Sequence, residues 1–306
     1  MHHLTSRACL TAATLICVAA TLSTNAQPIP EESLIWIRQF ENENATTPAG
    51  LTNQITTNTT FSNTFNSVFG SDAQATGSLA TASVGTRYTR TTLGEANGQS
   101  LVALFDTITF DTPGNVNTTI EYDVTLDGTL ANSSIGSTSQ LAAARATTRI
   151  TIVDITGIDE WIETFSTPED PVYSTNAPLV SNTSINLVVG NQLAVDTFSP
   201  FFDQAILDTS GTIFNFDESK QASFIADPTK EYGIIIQASS EANGIAASDF
   251  LSTAQFQFTN LNGATFQSGS GSFLQNNTTA IPEPASITLR LTAAAAITRR
   301  SKRRNA

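Results

Sequence analysis

Across residues 27–280 the chain alternates apolar and polar positions with period two, the spacing of a strand that buries one face. Ile120, Tyr122, Val124 and Leu126 interleave with Thr119, Glu121, Asp123 and Thr125, so one face is apolar and the other acidic. Asp127-Gly128 reads as the turn that ends this run. Ala254, Phe256 and Phe258 interleave with Gln255, Gln257 and Thr259, and Asn262-Gly263 then turns the chain toward Ala264 and Phe266. Further strands are predicted over residues 101–110, 147–155, 186–198 with a break at Gly190-Asn191, 211–216 and 232–239. Their Thr, Val, Ile and Phe suit a pleated surface.

Two stretches depart from this rhythm. Ile155, Ile158, Ile162 and Phe165 have the spacing of one side of a short helix, with Asp159, Glu160 and Glu163 on the other. Gly157 and the like charges at 159 and 163, one helical turn apart, oppose it. Residues 41–100 are polar, with only Phe61, Phe65 and Phe69 thinly spaced, and read as irregular strands and loops. Pro168, Pro171 and Pro178 break a loop over residues 166–178. Turn signals every ~8–15 residues predict an all-β chain, a single antiparallel β-sandwich of jelly-roll type over residues 27–280.

Composition changes the picture at the ends. The chain has 306 residues, 40% hydrophobic but only 13% charged, with a formal charge of -13. His2, His3, Cys9 and Cys17 are its only His and Cys, and all lie within the first 17 residues. Residues 1–26 combine a basic start at Arg7, an apolar stretch over 8–22 and the small-residue ending Thr24-Asn25-Ala26. That layout predicts a secretory signal peptide cut between Ala26 and Gln27. At ~15 residues the apolar stretch is short of the roughly 20 needed to span a bilayer. Cleavage would leave no imidazole and no thiol, which excludes disulfides, thiolate or histidine metal sites, and triads built on His or Cys.

Over residues 27–281 seven basic positions (Arg38, Arg87, Arg90, Arg145, Arg149, Lys220 and Lys230) face 26 acids, a net charge of -19. Such a surface disfavours nucleic acid and repels anionic polymers unless divalent cations bridge them. The remaining positive charge is concentrated in the tail. Residues 281–306 carry Pro282-Glu283-Pro284, a weakly apolar stretch over 285–298, and the basic cluster Arg299, Arg300, Lys302, Arg303 and Arg304. An apolar segment followed by basic residues acts as a stop-transfer device, and the flanking prolines keep the preceding backbone extended.

This order of elements resembles the PEP-CTERM sorting signal of Gram-negative bacterial surface proteins. The resemblance implies signal peptidase and exosortase as processing partners, transient inner-membrane association through a short transmembrane sorting helix, and delivery to the cell surface or extracellular matrix, where extracellular polysaccharide would be the surrounding polymer. Arg290 departs from the family pattern, since a central Arg costs about 2.5–3.5 kcal/mol on insertion scales. Residues 101–114 (LVALFDTITFDTPG) and 249–274 (DFLSTAQFQFTNLNGATFQSGSGSFL) also resemble segments of PEP-CTERM ectodomains, which are mostly β-rich and seldom carry an assigned activity.

Candidate chemistry is thin. Carboxylates are the remaining catalytic groups, and Asp159 and Glu163 beside Trp161 would have glycosidase spacing if helical. A solvated acidic face beside a core Trp is the favoured reading. Glu121, Asp123 and Asp127 lack the Asp-rich loop and closing Glu of a calcium site, so surface calcium follows only from acid density. No phosphate-binding Gly-rich run occurs. Asn-x-Ser/Thr triplets at Asn44, Asn58, Asn117, Asn132, Asn182, Asn276 and Asn277 are expected by chance in so Asn- and Thr-rich a chain. The sequence therefore predicts no catalytic, cofactor-binding or metal residues and no enzyme activity. The expected role is a secreted, exosortase-processed surface or matrix protein, structural or adhesive. A lectin-like carbohydrate-binding module using Trp161 or Tyr173 is the alternative, and a carboxylate glycoside hydrolase comes third.

Overall fold

The computed structural model describes residues 33–44, 47–56, 58, 60–66, 71–91, 97–132, 143–163, 172–190, 202–207 and 212–274. The signal peptide 1–26 with its Ala26-Gln27 junction lies outside them. So do Pro282, Glu283 and Pro284, the apolar stretch 285–298, Arg290, and the basic residues Arg299, Arg300, Lys302, Arg303 and Arg304. Residues 191–198 of one expected strand and the prolines at 168 and 171 also fall outside.

The chain begins with β1 (Ser33–Asn44), β2 (Thr47–Thr56), β3 (Thr60–Asn66), β4 (Ser71–Ser78) and β5 (Ser83–Arg90). Next come β6 (Asn97–Asp111), a single 3-10 turn at Pro113–Asn115, β7 (Thr118–Asn132) and β8 (Ala143–Asp154). A small excursion carries β9 (Ile162–Glu163) and β10 (Val172–Tyr173) before β11 (Leu179–Gly190) and β12 (Gln204–Leu207). The chain then forms β13 (Thr212–Ala226), β14 (Glu231–Asn243), β15 (Ala246–Asn260) and β16 (Thr265–Ser268). Two sheets result. The first runs β12-β11-β8-β14-β6-β1-β2, with β16 also beside β6, and the second runs β13-β7-β15-β5-β4-β3. Every pairing in them is antiparallel except β11 with β12. This is the expected all-β fold, with no α-helix among the described residues.

Alternation explains why these segments pair. In β7 the residues Ile120, Tyr122, Val124, Leu126 and Leu130 point into the space between the sheets while Thr119, Glu121 and Asp127 face water. The expected turn at Asp127-Gly128 does not form, and β7 runs straight through it. The neighbouring β15 carries a bulge between Phe250 and Ala254, and a Cβ at Gly128 would stand 2.4 Å from the Asp249 carbonyl oxygen. On the other side of the bulge, a Cβ at Gly85 would stand 1.9 Å from the Leu251 carbonyl oxygen. The two glycines let the bulge seat between its neighbours, a close-approach role rather than a turn role.

Residues 41–100, expected to form irregular strands and loops, supply the four regular strands β2 to β5 and the adjoining ends of β1 and β6. In β4 the buried positions are small, with Ser71, Ala73, Ala75 and Gly77 alternating inward. Those small side chains make room for large ones from the opposite sheet. A Cβ at Gly77 would meet Leu104 at 2.9 Å and Ile35 at 3.0 Å.

The space between the sheets is chemically uneven. One end is aromatic, where Phe110 packs against Phe224, Tyr232, Phe258 and Phe266 at centroid distances from 5.7 to 6.4 Å. Midway, a polar row crosses the first sheet at Gln39, Ser100 and Ser240, residues that sit opposite one another in the ladders. Each reaches the second sheet: Gln39 exchanges hydrogen bonds with Asn63 (3.2 and 3.3 Å), Ser100 donates to the Gln74 carbonyl (2.7 Å), and Ser240 bonds Thr86 (2.8 Å). Beyond that row the interior is polar, with Ser71, Arg90, Asn132 and Ser248 all buried.

A second, smaller core lies on the outer face of the first sheet, where Leu34, Trp36, Phe105, Val153, Trp161 and Ile235 cluster. The excursion after β8 covers it. No helix forms there; residues 155–161 turn and lead into the β9–β10 pair, as Gly157 at φ 74° and the opposed charges favour.

Candidate functional site: the buried Asp106 junction

Asp106 interrupts an otherwise apolar stretch of β6 and is fully buried (0% exposed). Its Oδ1 accepts hydrogen bonds from the Thr107 amide (2.8 Å) and the Ser270 amide (3.1 Å), and its Oδ2 accepts one from Ser270 Oγ (2.5 Å). Burying a carboxyl group requires such partners. Topology brings them there. β1 pairs with β6 from Ser33 opposite Asp106, and β16 pairs with the same edge of β6 from Ile108 to Asp111. The two strands therefore lie end to end, and the gap between them is where the chain after β16 turns inward.

That turn is fixed by backbone and side-chain bonds. The Gly269 amide donates to the Thr107 carbonyl (2.9 Å), Ser268 Oγ accepts from the Phe273 amide (3.3 Å), and the Leu274 amide donates to the Leu79 carbonyl (3.1 Å). Phe273 and Leu274 are buried, the former against Phe256 at 5.9 Å. The first and last strands of the sandwich thus meet at Asp106, at its aromatic end. The Asp106 oxygens are filled by the Thr107 and Ser270 amides and the Ser270 hydroxyl, which fastens the turn after β16 to β6.

A second ionic group ties the β13–β14 turn to the start of the excursion. Lys230 Nζ donates to Asp154 Oδ2 (2.6 Å), and Asp154 Oδ1 accepts from the Thr156 amide (3.1 Å). Partial burial pushes the Asp154 carboxyl up, but the bonds from Lys230 and Thr156 outweigh it and hold the group below the usual carboxylate range. The same pair raises Lys230. Asp227 accepts from the Thr229 amide (2.8 Å) and hydroxyl (2.6 Å), which lowers it, while burial raises Tyr232, whose oxygen accepts from the Asp227 amide (2.7 Å). These groups stitch a turn and line no cleft. A shallow open groove elsewhere, at Thr60–Ser62, Thr76–Ser78 and Ser83, offers hydroxyls and the edge of Phe61 but no titratable side chain.

The residues singled out from sequence do not converge. Asp159 is exposed on a turn, and Glu163 pairs with Val172 in β9–β10 rather than sharing a helical face with it. Trp161, named as a sugar platform, is 4% exposed and packs against Phe105 at 6.1 Å; Tyr173 packs on the same cluster. Glu121, Asp123 and Asp127 lie along the outward face of β7, and no cluster of three His, Cys, Asp or Glu suited to a metal occurs among the described residues. Asp106 and Ser270 were missed. The signal was present in LVALFDTITF, where one acid stands within ten otherwise uncharged residues. Compared with known proteins, the chain matches no family model, no curated protein and no solved structure.

Proposed function

We propose that this chain is a secreted, exosortase-processed protein of the cell surface or extracellular matrix, with a structural or adhesive role. The supporting observation is the tail itself, Pro282-Glu283-Pro284 followed by an apolar stretch and Arg299 to Arg304, resembling a PEP-CTERM signal. The Asp106 junction gives that tail a mechanical setting. Leu274 is fastened into the core, and seven residues lie between it and Pro282, a reach of at most about 28 Å. A transient span in the membrane would keep the sandwich within about one bilayer thickness of the surface until cleavage. Membrane tension on the tail would then be taken by Asp106, Ser270 and the buried Phe273.

The test follows an epitope inserted after Gln27 in cells with and without exosortase. With the enzyme, tagged protein is expected at the surface or in the medium, with a mass short of the basic tail. Without it, the intact form stays at the inner membrane. An unprocessed cytoplasmic product in both strains overturns the reading.

A further inference from the structure

We infer that β13 is a self-association edge, pairing antiparallel with β13 of a second copy about a two-fold axis at Ser219. This stands on the sandwich alone and is independent of how the tail is processed.

Among the described residues the second sheet ends at β13, a 15-residue strand whose ladder to β7 runs from Thr212 to Ala226 without a register shift. Long unbroken edges invite pairing, and natural proteins blunt them with short strands, Pro, bulges or unneutralised inward-pointing charges. The other edges of the two sheets are blunted in those ways: β12 has four residues, β3 has seven, and β2 contains Pro48 and two register shifts in its ladder. β13 has neither Pro nor Gly. Its two inward-facing charges are neutralised within the chain: Lys220 Nζ meets Asp203 Oδ1 and the Ser184 carbonyl, both at 2.6 Å, and Glu218 accepts from the Gln204 side-chain amide.

The sequence of this strand is nearly palindromic in chemical type about Ser219. Ile213 and Ile225 stand six residues to either side, and they are two of the four large apolar side chains exposed among the described residues, at 66% and 62%. In an antiparallel pair centred on Ser219, each Ile213 lies directly opposite Ile225 of the second copy. Phe214 lies opposite Phe224, Glu218 opposite Lys220, and Asp217 opposite Gln221 rather than another acid. The two-fold makes every one of these pairings twice. A neighbouring edge of unrelated sequence would match neither the apolar ends nor the charges. The resulting sheet would be continuous across both copies, with backbone bonds supplying affinity and the outward Ile213–Ile225 pairs fixing register.

Sedimentation equilibrium of the full chain at about 0.15 M salt, where the Debye length of ~8 Å screens the net negative charge, tests this. Wild type is expected to show a monomer–dimer equilibrium. I213K/I225K places Lys against Lys at both ends and is expected to weaken dimerisation at least tenfold, an effect the size of two lost cross-strand pairs. I213K/I225E places Lys against Glu in this register and is expected to recover most of that loss. As a second readout, Ser219→Cys in a background with Cys9 and Cys17 changed to Ser is expected to cross-link copies with a short bifunctional thiol reagent. A monomeric wild type, an unaffected I213K/I225K, a charge swap no better than the double Lys, or growth into open chains by pairing with another edge overturns the proposal.

Discussion

Trp161 decides whether the outer face of the first sheet is a ligand platform or a core. A Cβ at Gly233 would lie 2.6 Å from Cζ3 and 2.7 Å from Cε3 of the indole, so the ring lies flush on the glycine of β14. Trp161→Ala removes a ring with 4% exposure from a cluster that includes Phe105 and Ile235. Full-core Trp truncations cost about 3–5 kcal/mol, and the covering excursion can settle into part of the void, so about 3 kcal/mol is expected. Gly233→Ala overpacks the same contact and should cost about 1–3 kcal/mol. Once the ring is gone the added methyl has space, and relieving a strand glycine returns about 0.5 kcal/mol. The double variant should therefore be no worse than Trp161→Ala alone, a coupling of about 2 kcal/mol in the cycle. Urea unfolding followed by far-UV circular dichroism measures all four corners. Additive losses, or a Trp161→Ala cost under about 1 kcal/mol accompanied by loss of glycan binding, would refute the packing argument and restore the platform.

Other perturbations probe the junctions. Ser270→Ala removes one donor from the buried Asp106 carboxyl and should cost about 1–3 kcal/mol, with hydrogen exchange rising at residues 269–274; Asp106→Ala strands three donors and should cost more. Gly128→Ala sets a methyl 2.4 Å from a backbone oxygen that the bulge holds in place, and should fall at the upper end of about 1–3 kcal/mol by thermal melt. The lowered Asp154 contributes stability that is complete above the ordinary carboxylate value and lost as pH falls below about 4, so Asp154→Asn should flatten the acid limb of a stability–pH curve. Lys230 and Tyr232 are raised, so their contributions are complete below about pH 10 and lost as pH climbs past it. Tyr232→Phe should remove part of that alkaline limb.

What could be read from sequence follows the size of the buried side chains. β7 and the end of β15 bury large apolar side chains on alternate residues and their period is plain, while β14 buries Tyr232 to Ile236 without a break because a core lies on each of its faces. β4 buries Ser, Ala and Gly, so its inward face looks like its outward one, and only the large residues it meets on the opposite sheet reveal its role. Gly128 misled for a related reason: Asp-Gly is a strong local turn signal, but the partner that makes the glycine necessary, the β15 bulge, lies about 120 positions further along the chain. The Asp106 junction has the same character. Its acid and its serine are 164 residues apart, and neither shows a periodicity of its own. Local alternation could specify strands, while the devices that choose their register and join the two sheets depend on pairs distant in sequence. The polar row of Gln39, Ser100 and Ser240 is the clearest case. Each would count against a strand with an apolar inner face, yet together they fall on one ladder line and find Asn63, the Gln74 carbonyl and Thr86 waiting across the gap. A one-residue slip of any one of those strands would turn its member of the row to the opposite face and leave the partner across the gap unsatisfied, so the row penalises wrong registers more than it stabilises the right one.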